Sequence, residues 1–225
     1  MKRPRLPARD LLPGMGEELI SPSDWSRRAA TLLGALLIGL VAIGFAVAGD
    51  HATTLFDRVT RAHPWVHLVS APLIFVAIVA ITSRVAPDAR GSGIPQVIAA
   101  SRRPGDVALR GLVSIRTALF KAALTVAALF GGGSVGREGP TVQLGAAIMV
   151  QVHRLFRVNV TAGVYIAGGA AGVAAAFNTP LAGIAFAIEE LAVAYEQRVA
   201  VMVMGAVMIA GLTAQGIAGD YVYFG

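Results

Sequence analysis

Hydrophobic residues in this chain fall into long uncharged blocks separated by short charged segments. Residues 29–49 carry no charge over 21 positions and are rich in Leu, Ile, Val, Ala and Gly. Residues 64–83 form a second uncharged block, and 117–136 a third that only Lys121 interrupts. A fourth, 139–152, has 14 residues, short of the about 20 needed to cross a bilayer as a helix. The fifth, 158–188, runs for 31 residues, too long for one span, and is broken by Pro180; 199–219 closes the series. The pattern predicts an all-α polytopic membrane protein in which some helices are tilted and others stop partway across.

Composition agrees with that reading. Of the 225 residues 56% are hydrophobic and only 14% charged, and the mean hydropathy is +0.68. This balance argues against a compact soluble domain, which keeps much of its surface polar, and excludes disorder. With no cysteine, disulfide scaffolds and thiolate metal sites are excluded. The net charge of +6 sits mostly in two places. One is the N-terminal segment, with Lys2, Arg3, Arg5, Arg9, Arg27 and Arg28. The other is the connection between the second and third blocks, where Arg84, Arg90, Arg102, Arg103, Arg110 and Arg116 face only Asp88 and Asp106. Asp50, Asp57, Arg58 and Arg61 balance between the first two blocks. The positive-inside rule then places the N-terminus and 84–116 in the cytoplasm and the 50–63 loop outside. The basic excess is a topology signal, and nucleic-acid binding is set aside. Nearly 30 mixed polar residues precede the first block, so the N-terminus is not expected to be a signal peptide.

Three short elements carry candidate chemistry. Gly91-Ser-Gly-Ile-Pro95 has Pro at the start of a helix and Ser ahead of it, so its backbone N–H groups and a capping hydroxyl could meet an anion or serve as a plain loop and cap. Gly131-Gly-Gly-Ser-Val-Gly136 fits a dinucleotide loop by letter only. A membrane helix precedes it instead of a strand, no acid follows between Glu138 and Glu189, and no Gly-Lys-Ser/Thr ends it, so both nucleotide readings fail. What remains is Arg137 and Glu138 between two apolar blocks, with Pro140 just inside the next helix. They are either interfacial loop residues or an intramembrane site at a broken helix, where an acid beside a positive helix end takes the place of an anion. In the third element, Gly168 and Gly172 stand four apart among small residues and predict touching backbones. Pro180 restarts the helix after Asn178-Thr179, and Glu189 and Glu190 end its uncharged part. One of these acids is expected to be solvated; the other is either solvated too or an internal proton acceptor. Lys121 either snorkels or is a buried cation. His63 and His67 lack a carboxylate at metal spacing, so no metal site is expected. No nucleophile–base arrangement of an enzyme can be argued.

Together, Gly91-Ser-Gly-Ile-Pro95, Gly136-Arg-Glu-Gly-Pro140 and Ala176-Phe-Asn-Thr-Pro-Leu-Ala-Gly183 resemble, in order and spacing, the signatures of the CLC chloride channel and transporter family. The resemblance extends from about Arg28 to the end of the chain. It implies about eight helices forming the first of two inverted repeats, with 1–28 as a cytoplasmic N-terminal segment and 29–225 as the membrane repeat. It implies an anion site at Ser92, Gly93, Ile94, Arg137, Glu138 and Gly139, with the Ser92 hydroxyl central and Glu138 as a gating glutamate that competes with the anion. Glu190 matches the internal proton glutamate of exchanging members, and Lys121 matches a buried family lysine. Chloride is the implied transported ion, with protons as the coupled one and no other cofactor. A homodimer in the bilayer is implied, paired through 180–195 and 199–219, and the inner membrane is the expected location.

The chain also departs from the pattern. Gln96 stands where many members have Glu, and neither a Gly-x-Phe-x-Pro element nor a late central-site tyrosine is present. The expectation is therefore an N-terminal half. Three functions follow: part of a chloride–proton antiporter, a passive voltage-gated-type chloride channel, or a half that transports nothing without its complement.

Overall fold

The computed structural model describes residues 22–191 and 197–219, and its described secondary structure is helical. The first helix, α1 (Pro22–Ala62), holds 41 residues. At 1.5 Å per residue it is about 60 Å long, roughly twice the hydrocarbon thickness. Its second half corrects the sequence reading, which made 50–63 an external loop. Positions 50–63 contain neither Gly nor Pro, so nothing ends the helix before Pro64. Thr53, Thr54 and Thr60 return their hydroxyls to carbonyls four residues back, which satisfies them inside the helix.

Seven more helices follow: α2 (Val66–Arg84), α3 (Ile94–Arg102), α4 (Ile115–Phe130), α5 (Glu138–Leu155), α6 (Ala162–Phe177), α7 (Pro180–Phe186) and α8 (Gln197–Ala218). A π-helical turn, Ala187–Leu191, continues α7. By length and composition, segments Trp25–Ala62, Val66–Arg84 and Ala200–Ile217 can cross a membrane. Helices α3, of nine residues, and α7, of seven, are each too short to cross a bilayer.

The core is the pair α5 and α6, flanked by α1 and α8. Small residues bring the backbones together. A Cβ on Gly168 would fall 2.7 Å from the Gly145 carbonyl oxygen, and one on Gly172 would fall 2.5 Å from that of Thr141. Gly183 of α7 meets Ala170 in the same way, at 2.6 Å. The expected touching of backbones at Gly168 and Gly172 is therefore observed, and α7 extends it. The long fifth block splits where the sequence indicated: Asn178 takes the left-handed conformation that ends α6, and Pro180 begins α7.

Candidate functional site

Two helix N-termini meet at one wall of an open cavity of about 720 Å³. The first belongs to α3. Gly93 is its N-cap at φ 114°, a conformation that a side chain strongly disfavours, and no side chain caps the helix. This corrects the expectation that Ser92 is the cap. The glycine turn opens the helix, and Ser92, exposed, faces the cavity. The second N-terminus is that of α5, which begins at Glu138 with Pro140 in its first turn. Gly139 packs directly on Ser92: a Cβ there would collide with the Ser92 carbonyl and lie 3.0 Å from its Cβ. A Cβ on Gly93 would in turn fall 2.5 Å from the Gly139 oxygen. First-turn N–H groups lack partners within their own helix, so the two ends together present a positive field.

Lys121 fixes this arrangement from α4. It is buried, 5% exposed, which decides between the two sequence readings in favour of a buried cation. Its Nζ donates to the carbonyl oxygens of Gly91, at 2.5 Å, and Arg90, at 3.2 Å. The Gln96 amide also donates to the Arg90 carbonyl. In a trans peptide the C=O of Gly91 and the N–H of Ser92 point in opposite directions. Holding the carbonyl against Lys121 thus turns the Ser92 N–H away from it. Lys121 lines the cavity, as does Arg90.

Glu138 is half-buried at the head of α5 and lines the same cavity. Its carboxylate folds back over the preceding turn, where a Cβ on Gly136 would lie 2.5 Å from Oε2. The structure therefore gathers Ser92, Gly93, Ile94, Glu138 and Gly139 at one place, with Ser92 and Gly139 47 positions apart in sequence. Arg137 is the exception. Its guanidinium reaches α1, where Nη1 donates to Asp50 Oδ1 at 2.7 Å and to the Ala46 carbonyl at 3.1 Å. It does not line the cavity, against the sequence expectation that it joins the anion site. Proximity in sequence put Arg137 in that set, but the helix start sends consecutive side chains in different directions.

Glu189 lies exposed on the π-helical turn after α7. The side chain of Glu190 lies outside the described residues, as does the segment before residue 22. His67 faces Ser70, at 3.1 Å, and packs on the ring of Phe56. Two contributors escaped the sequence reading. Asp50 was read only as one loop charge among four. Gln143, fully buried, donates to the Leu112 carbonyl at 2.6 Å and supports the connection before α4 beneath Gly93. An amide among apolar residues, one of two in the fourth block with Gln151, was the available signal.

Comparison with known proteins gives a consistent result. The family model described as voltage gated chloride channel matches residues 74–225. The H(+)/Cl(-) exchange transporter ClcA of Vibrio vulnificus (strain YJ016) is 40% identical over 127 residues, covering 55% of this chain and 26% of the relative. The protein of the same name from Citrobacter koseri is 35% identical over 177 residues, covering 72% and 36%. The chain thus spans about a quarter to a third of the length of these relatives. Among solved structures, a slow cyanobacterial Cl-/H+ antiporter superposes with a TM-score of 0.74 at 24% identity, over 90% of this chain and 48% of that one. A eukaryotic CLC transporter gives 0.72 at 21% identity, over 88% and 38%. At these identities the structural likeness establishes the fold.

Proposed function

Because this chain belongs to the voltage gated chloride channel family, we propose that it forms part of a membrane transporter that exchanges chloride for protons. The observation that carries the reading is the meeting of the α3 and α5 N-termini at a cavity that also holds Lys121, Ser92 and Glu138. Two helix ends and a buried ammonium attract an anion, and the Ser92 hydroxyl can donate to it. The Glu138 carboxylate is an anion already on the spot. It competes with chloride while ionised and yields the place when protonated, which links the two ions at one residue. Gly93, Ile94 and Gly139 supply backbone to the anion site, and Glu190 is assigned to proton transfer on the other side. The relatives named as H(+)/Cl(-) exchangers support the same pair of ions.

The chain is an integral membrane protein. We place it in the inner membrane with its N-terminus in the cytoplasm, following the arginine-rich connection between α2 and α4. Its assembly is a homodimer through 180–195 and 199–219, where Leu181, Val201 and Leu212 are exposed.

The test is Glu138→Ala in the full-length protein, reconstituted in liposomes. Chloride efflux should persist while proton movement driven by a chloride gradient falls to background. Chloride-driven proton pumping that survives the substitution would refute the role of Glu138. A wild-type reversal potential independent of pH would instead favour a passive channel.

A further inference from the structure

The contact between Arg137 and α1 lies outside the anion site, yet it holds the residue that precedes Glu138. Arg137 is fixed at both ends. Its carbonyl accepts from the Thr141 hydroxyl at 2.7 Å and from the Thr141 N–H at 3.1 Å. Its guanidinium is held by Asp50 and the Ala46 carbonyl, and lies against Gly49, where a Cβ would come 3.1 Å from Cδ and 3.2 Å from Nη1. The absence of a side chain at Gly49 is what lets the guanidinium lie along α1.

The Asp50 side chain is 53% exposed and that of Arg137 only 19%. A pair this open contributes little to stability, typically under about 1 kcal/mol. Its geometric effect is larger. Without the carboxylate, the guanidinium loses its 2.7 Å contact with α1 and keeps a full positive charge one residue from Glu138. Among the described residues that line the cavity with Glu138, the basic ones are Lys121 from α4 and Arg90 from the segment before α3, and Arg137 is its neighbour in sequence.

We propose that Asp50 is a positioning residue for Glu138, acting through Arg137: it draws the guanidinium onto α1, away from the cavity, and so sets how readily the Glu138 carboxylate exchanges its place with an anion. The inference rests on the transport reading above. Freed from Asp50, the arginine favours the ionised carboxylate, so protonation and release of the gate need more acid.

Chloride flux is measured against pH in liposomes holding the full-length protein as wild type, Asp50→Asn, Asp50→Glu, Glu138→Ala, and the Asp50→Asn/Glu138→Ala double variant. Asp50→Asn should move half-maximal flux by about half a pH unit toward acid. Asp50→Glu should restore the wild-type profile, and Asp50→Asn should change nothing when Glu138 is already Ala. An unmoved Asp50→Asn profile overturns the assignment, and so does an equal effect with and without Glu138. Coupling that persists in Glu138→Ala alone strikes the transport reading itself, which keeps the two failures apart. Gly49→Val serves if Asp50→Asn does not fold. It crowds the guanidinium off α1 with both charges kept, should also move the profile toward acid, and overturns the positioning role if it does not.

Discussion

Helices α2 and α6 are both apolar around their whole circumference, and they have opposite fates. No residue of α2 is buried, whereas α6 is buried along almost its whole length. Hydropathy cannot separate them, because neither presents a polar face. Side-chain size does. Leu68, Val69, Leu73, Val76 and Val79 of α2 are branched and stand exposed, while α6 is built from Ala and Gly with Val, Ile and Tyr among them. In a lipid solvent burial brings no hydrophobic gain, so helices associate where backbones can approach and dispersion contacts multiply. Small residues thus mark the interior, and large apolar ones the outside.

That contrast can be broken most severely at Gly168. Gly168→Val places atoms into the Gly145 carbonyl and the Met149 Cβ, which is also 2.7 Å from an added Cβ. A loss on the order of 3 kcal/mol is expected, read as a lower denaturation midpoint in detergent. Among the described residues, Lys121 is the one long charged side chain that is buried, and it tests whether size alone decides. Lys121→Met keeps the volume and removes the donors to Arg90 and Gly91, so about 1–2 kcal/mol should be lost by the same measurement. The smallest effect belongs to α2. Leu73→Ala should shift the midpoint by no more than about 0.5 kcal/mol, since Leu73 is 63% exposed. A large effect at Leu73 would show that another protein surface covers this face.

Much of the helical order was legible in the sequence, because uncharged blocks and proline breaks are local signals. Pro180 and Asn178 divide the fifth block where they were expected to, and the Gly168–Gly172 spacing foretold close packing. The end of α1 was misread because charges at Asp50, Asp57 and Arg58 were taken to mean a loop, though a helix leaving the membrane can carry them on its own surface. At the candidate site, the motifs named Ser92, Gly93, Ile94, Glu138 and Gly139, and the fold brings these residues together. The direction of a side chain is not local in that sense. Arg137 turns to a partner 87 positions earlier, and no pattern around either residue announces the pair.

The contact of Gly139 with the Ser92–Gly93 turn has a mechanical consequence. With backbone against backbone and no side chain between them, neither segment can be displaced toward the other, and Lys121 clamps the far side of the turn. The two segments therefore behave as one stiff frame, and a moving part mounted on it is confined to torsions of its own side chain. A Glu at position 138 has three such torsions, so under the proposed function the latch is light and its seat stays unchanged when it opens.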